Sequence, residues 1–141
     1  MNSYKHILLA TDLHDDNNQV IEQALALKDR NSAELSVVNV LPKIPYYMAS
    51  GVPSISNLED QMEDNNIAKL KALEAKIDNK ANYHLLHGSP KRQIVQLAKK
   101  IDCDIIIIGS HGRHGVERFI GSTANGVLQR AHCDVLIVRI K

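Results

Sequence analysis

The stretch Asp104-Ile105-Ile106-Ile107-Ile108-Gly109-Ser110-His111-Gly112 decides the fold. Its four successive isoleucines are stiff about χ1 and suit a strand buried on both faces, which is where the central strands of parallel sheets lie. The run stops at Gly109, a second glycine follows at Gly112, and Gly121-Ser122-Thr123 comes just before a helical pattern. A buried strand thus feeds a loop of bare backbone that ends at a helix N-terminus, where N–H groups without intrahelical partners attract anions.

Outward from this stretch the same alternation repeats. Tyr4 to Thr11 has the apolar centre Ile7-Leu8-Leu9-Ala10 and is closed by Asp12. Asp15, Asp16, Asn17 and Asn18 offer N-cap and first-turn groups, and Val20, Ile21, Ala24, Leu25 and Leu27 then recur at helical spacing as far as Asn31. Leu35 to Val40 is a second strand, ended by Pro42, which has no N–H for a ladder. Leu41 to Asn57 holds Pro42, Pro45, Pro53, Gly51 and Tyr46-Tyr47-Met48. It reads as a long loop that covers a ligand, meets a partner or is a plain surface connection.

Leu58 to Ile77 is a charged, amphipathic helix with Ile67, Leu70, Leu73, Glu74 and Ile77 along one side, and Asn82 to His87 is a third strand. Ser89 stands where an N-cap belongs and Pro90 at the first helical position, followed by the stripe Ile94, Leu97, Ala98, Ile101. After the central strand come a helix from about Ser122 to Ala131, with Ser122 or Thr123 as a candidate cap, and a last strand from Asp134 to Ile140. Strands and helices alternating in this way predict an α/β fold, an open parallel sheet with helices on both faces and right-handed crossovers. The 141 residues suit one domain, 1–141.

Lys plus Arg at 17 against Asp plus Glu at 16 gives a net charge of +1, without long blocks of either sign. Neither nucleic acid nor a membrane surface is an expected partner. The apolar run after Met1 to His6 is too short for a signal peptide or a membrane span, so the expectation is a cytoplasmic protein. Cys103 and Cys133 form no Cys-x-x-Cys pair, but they sit in an echo. Asp102-Cys103-Asp104 and His132-Cys133-Asp134 each open a strand. If those strands are parallel neighbours the thiols start at one sheet edge; two small apolar residues beginning buried strands is the simpler account.

In an open parallel sheet, ligands bind beyond the carboxyl ends of the strands, where strand order reverses. Strand one ends at Ala10-Thr11-Asp12 and the central strand at Gly109-Ser110-His111-Gly112. A carboxylate would then stand beside a glycine loop, the first accepting hydrogen bonds from a ribose or base and the second donating N–H groups to phosphates. One mononucleotide meets both requirements. Arg113, His114 and Arg118 lie in the loop, either to neutralise phosphate or as solvated surface charges. His111-x-x-His114 has no carboxylate or cysteine nearby, so no metal is expected. His84 and His87 point to opposite faces of a strand and are no ligand pair. The chain has no Gly-x-Ser-x-Gly, Gly-x-x-x-x-Gly-Lys or Gly-x-Gly-x-x-Gly motif, which favours binding over turnover.

Over essentially its full length the chain resembles the universal stress protein family. The resemblance is carried by Lys5 to Asp12, Val37-Val38-Asn39-Val40, Gly88-Ser89-Pro90 with Ile94, Asp104 to Arg113, Gly121-Ser122-Thr123-Ala124 and Cys133 to Val138. It implies a Rossmann-like, adenine nucleotide alpha hydrolase-like fold with five strands in the order 3-2-1-4-5, usually a homodimer, and ATP or AMP bound by some members, with magnesium as an optional companion. By that resemblance Asp12 and the main chain at Val40 would face adenine and ribose. Gly109, His111, Gly112, Gly121, Ser122 and Thr123 would hold ribose and phosphates, with Ala10, Thr11, Ser110 and Arg113 at the same strand ends. The family's nucleotide-binding pattern is Gly, two residues, Gly, nine residues, Gly, then Ser or Thr. Here eight residues, Arg113 to Ile120, separate Gly112 from Gly121. That shift can turn the next helix start away from phosphates, so a dimer acting as an interaction protein without nucleotide stands as the alternative, and a weak ATP hydrolase as a third reading. The last strand, an apolar edge opposed only by Arg139 and Lys141, would pair Val135 to Ile140 with a second copy about a two-fold axis.

Overall fold

The computed structural model describes residues 3–13, 18–43, 55–77, 81–110 and 120–140, with the side chains of its long helix from residue 58. Among these the chain alternates β1 (His6–Ala10), α1 (Asn18–Asn31), β2 (Glu34–Leu41), α2 (Ile55–Ile77), β3 (Asn82–His87), α3 (Pro90–Lys100), β4 (Ile105–Gly109), α4 (Ser122–Arg130) and β5 (Asp134–Val138). All strand pairs are parallel, in the order β3-β2-β1-β4-β5. This is the order that the family resemblance implies.

The centre of the sheet explains its unbroken apolar runs. Ile7, Leu8, Leu9, Ile106 and Ile107 are 0% exposed, because β1 and β4 are covered on both faces. On one face Ile7, Leu9, Val37, Ile105 and Ile107 pack with Val20 and Ala24 of α1 and Leu70 and Leu73 of α2. On the other, Leu8, Val38, Ile106 and Ile108 pack with Ile94 and Leu97 of α3 and Ala124 and Val127 of α4. Each fully buried aliphatic side chain contributes about 1.5–3 kcal/mol relative to exposure. The outer strands β3 and β5 are only half-buried at their centres.

Several boundaries and roles differ from the sequence reading, each for a local reason. Strand one begins at His6 rather than Tyr4, whose N–H instead donates to Asn31 Oδ1 and whose hydroxyl donates to Asp134 Oδ2. Helix α2 begins at Ile55, inside the expected loop, and Ile67 is exposed rather than part of the buried stripe. Residues 44–54, including Tyr46, Tyr47 and Met48, lie outside the described residues, as do Asp15, Asp16 and Asn17. Ser89 occupies the N-cap of α3 with Pro90 after it, but its side chain makes no capping bond. Gly121, not Ser122 or Thr123, is the N-cap of α4. The last strand stops at Val138, and Ile140, expected on the dimer edge, is 5% exposed in the α1-face core.

The amino edge of the sheet is pinned by side chains. Asp104 accepts from Lys5 N (2.8 Å) and His6 N (3.1 Å), tying the start of β1 to β4. Asp104→Ala removes two charge-assisted acceptors and should lower stability by about 1.5–3 kcal/mol in urea denaturation, with Asp104→Asn losing less. His6 lies between Ser36 Oγ (2.7 Å from Nε2) and the Ile101 carbonyl (3.1 Å from Nδ1).

On the same face, burial lowers the pKa of His84, helped by the charges of Lys100 and His6. The fold therefore favours neutral His84. The unfolded chain takes up the proton first, so stability is full above the ordinary value of 6.5 and falls as pH drops through the window below it. His84→Gln should flatten the urea midpoint across that window; an unchanged slope would show that His84 is not its source.

Candidate functional site

At the carboxyl edge of β1, a short turn presents Asp12. Ala10 pairs with Val38 on one side and Ile108 on the other, and Thr11 N continues the ladder to Val38 O at 3.0 Å. Thr11 is buried, and its hydroxyl oxygen accepts from Leu13 N at 3.0 Å. Leu13 takes φ 62°, a left-handed conformation unusual for a non-glycine residue, and Asp12 between them is exposed. The turn is braced from β2. Asn39, 3% exposed, donates from Nδ2 to Thr11 O (2.9 Å), while its Oδ1 accepts from Asn66 Nδ2 of α2 (2.7 Å). Val40 stands two residues beyond Val38 on the same edge.

Asn39 is a residue whose role sequence reasoning missed. The signal was there: a buried amide inside the apolar run Val37-Val38-Asn39-Val40 needs partners. Asn39→Leu keeps size but strands the Thr11 carbonyl and the Asn66 amide. It should cost about 1–3 kcal/mol in thermal or chemical denaturation, whereas Asn66→Ala, at a half-buried position, should cost less.

At the end of β4 the arrangement is equally specific. Gly109 pairs with Val138, Ser110 N donates to Val138 O (2.8 Å), and the buried Ser110 hydroxyl oxygen accepts from Ile140 N (3.0 Å). Gly121 N donates to Ser110 O, which sets the first turn of α4 against the end of β4. Gly121 caps that helix with φ −63° and ψ 161°; Ser122 is exposed and Thr123 half-buried. The helix N-terminus, a centre of positive potential, thus faces the edge that also carries Asp12.

The structure therefore brings together Ala10, Thr11, Asp12, Gly109, Ser110, Gly121, Ser122 and Thr123, with Val40 on the neighbouring strand. His111, Gly112 and Arg113 lie outside the described residues, as do His114 and Arg118. Beside the Asp12 turn a cavity of about 300 Å³ opens between α1 and α2, lined by Thr11, Leu13, Ile21, Lys69 and Lys76, among others. Among the described residues no three His, Cys, Asp or Glu side chains group to hold a metal ion, and no helix is long and apolar enough to cross a membrane.

The sequence profile of the Universal stress protein family matches residues 3–139. Universal stress protein A homolog 1 of Coxiella burnetii is 37% identical over an alignment 142 positions long that spans 98% of each chain. The structure of universal stress protein UspA from Lactobacillus plantarum superposes with a TM-score of 0.87 at 23% identity, over 99% of this chain and 100% of that one. A universal stress protein crystallised in complex with cAMP gives 0.71 at 19% identity, over 99% and 100%. At such identities the two structures speak for the fold, and the family rests on the profile and the Coxiella relative. The chain belongs to the universal stress protein family.

Proposed function

We propose that this chain binds an adenine nucleotide, ATP or AMP, at the carboxyl edge between β1 and β4, and acts in the cytoplasm as a homodimer whose occupancy is read by partners. The observation that carries the reading is that Asp12 follows β1 while the capped start of α4 is tied to the end of the neighbouring strand β4 at Ser110. The Asp12 carboxylate and the main chain of Val40 meet base and ribose; the N–H groups of His111, Gly112, Ser122 and Thr123 meet phosphates, with Gly109 and Gly121 letting the backbone approach closely and Arg113 adding charge. Ala10, Thr11 and Ser110 shape the backbone that presents them. Magnesium, where present, would ride on the phosphate oxygens. The structural neighbour crystallised with cAMP supports an adenine nucleotide as the ligand class. The role is binding rather than turnover.

Calorimetric titration with ATP and AMP tests this. Wild-type protein should release or absorb heat and melt higher with nucleotide, and Asp12→Ala or Gly112→Val should each weaken binding at least about tenfold, some 1.4 kcal/mol. A silent titration with no shift in melting temperature sinks the proposal. The eight-residue spacing from Gly112 to Gly121 favours one rival, a dimer that acts through its surface with the site empty. Phosphate release above background, lost on mutation of the loop, would instead favour a weak hydrolase. The dimer itself rests on β5, an edge strand whose residues Val135 to Val138 are half-buried. Light scattering at micromolar concentration should give twice the chain mass, and a monomer would remove that part of the reading.

A further inference from the structure

The opposite, amino edge of the sheet carries two thiols that the nucleotide reading does not use. Cys103 is 8% exposed in the α3/α4-face core, Cys133 is half-buried against the same cluster, and both are free. The β4–β5 register pairs Ile105 with Asp134, and Asp134 N donates to Asp104 O at 3.3 Å. Carried back one residue, this register sets Cys133 opposite Asp104 and diagonal to Cys103. With strands about 4.8 Å apart, the two cysteines open neighbouring strands at one sheet edge, close enough for Cys133 to act on the Cys103 thiol, and disulfides span Cα separations up to about 6.8 Å.

Two further observations point the same way. Asp102 takes φ 57° and Cys103 N donates to Ala98 O (2.9 Å), so the turn after α3 holds Cys103 against the cluster that also receives Cys133. Both cysteines line one cavity of about 410 Å³, together with Tyr4, Asp104, His132 and Asp134. That is ample for a small oxidant, since a water molecule takes about 30 Å³.

We propose that Cys103 and Cys133 are a modification site, closing reversibly into an intramolecular disulfide under oxidants of the hydroperoxide class. The Cys133 thiol gives up its proton and the thiolate attacks a peroxide oxygen; the O–O bond breaks, a sulfenic acid forms, and the leaving hydroxide takes up that proton and departs as water, or as an alcohol from an organic hydroperoxide. Cys103 then attacks that sulfur; the S–S bond forms, the S–O bond breaks, and the hydroxyl leaves with the Cys103 proton as a second water. Two thiols give up two electrons to one peroxide. Burial, with Cys133 and Asp104 next in effect, pushes the Cys103 thiol up to about 12, and burial with Asp134 and Asp104 also raises Cys133. Thiolate is therefore scarce at neutral pH, so closure is slow there and quickens as pH rises. Sustained oxidation, not a brief pulse, would set the bond.

The full chain is treated with hydrogen peroxide at neutral and at mildly alkaline pH, then assayed for free thiols and mapped by peptide mass. Both thiols should disappear together, faster at the higher pH, in a monomer-mass product whose peptides are joined through Cys103 and Cys133 and restored by dithiothreitol. The closed loop holds 29 intervening residues, so the oxidised form should melt at least about 5 °C higher. Cys133→Ser, at the half-buried position, should fold and keep one titratable thiol without the linked peptide; Cys103→Ser should do likewise. Thiols that survive peroxide in the folded protein yet react in urea would overturn the proposal. So would cross-linked dimers, or sulfinic acid without a linked peptide. None of these results depends on nucleotide binding.

Discussion

Ile107→Ala is expected to lower the stability of the fold by about 4 kcal/mol and its melting temperature by roughly 10–15 °C. Ile107 is 0% exposed and pairs in register with Leu9 of β1 and Leu136 of β5, at the centre of the face covered by α1. Close-packed strands and helix on every side leave little room for collapse, so the lost transfer energy adds to the cost of the cavity. Ile107→Val removes one methylene and should cost about 0.5–1.5 kcal/mol, retaining the β-branched shape that the strand favours. Ile120→Ala, at a position 48% exposed, should stay within about 0.5 kcal/mol. Urea denaturation of the three variants orders them. Should Ile107→Ala and Ile120→Ala prove equal, burial of β4 beneath the helices would not be what stabilises this sheet.

The same residue shows why the fold was legible. A strand buried on both faces must be apolar at successive positions, which no amphipathic helix or edge strand reproduces, and the isoleucines at 105–108 meet that demand within one short segment. Helix α3 was equally plain because Ile94, Leu97 and Ala98 repeat at the helical period and are all buried. Ile67 fell on the expected side of α2 but stays exposed, since periodicity gives a direction around a helix and not how far the neighbouring sheet extends beneath it. The C-terminal edge misled for a related reason. Val135 to Ile140 reads as one apolar strand, yet the ladder ends at Val138 and Ile140 packs into the core. That departure is tied to a hydroxyl thirty positions away, Ser110, and local propensity carries no trace of it.

The candidate site was legible at its chemical ends and opaque at its supports. Asp12 and the glycines announce themselves by type and by their place after strands, and the sheet order brings those strand ends side by side. Asn39 bracing the Asp12 turn and Ser110 joining β5 to α4 are tertiary bonds, visible only once β2 lies beside β1 and β5 beside β4. The turn that Asn39 holds carries a left-handed Leu13, a conformation costing about 1–3 kcal/mol that persists only where surrounding bonds over-determine it.

Gly109→Val should then have the largest effect at the site, costing about 3 kcal/mol and abolishing measurable nucleotide binding. A Cβ at Gly109 would lie 2.6 Å from Ile140 Cδ1 and 3.3 Å from Val20 Cγ2, and valine adds two methyls beyond it. Ile140 cannot simply withdraw, because its N–H is held by Ser110 and its side chain is buried. Glycine in a strand interior gives up about 0.5–1 kcal/mol relative to alanine, so part of the clash is offset by better strand propensity; the steric term wins because two walls close on the same point. The double variant Gly109→Val/Ile140→Ala separates two reasons for a glycine here. Truncating Ile140 opens the space that the valine needs, so the pair should lose at least about 1 kcal/mol less than the sum of the single losses. If Gly109 serves packing alone, nucleotide binding should return with stability in the double variant. If bare backbone at Gly109 is also needed for close approach of the ligand, stability should recover while calorimetry stays silent, and we expect this second result because the Gly109 main chain stands at the edge that carries Asp12.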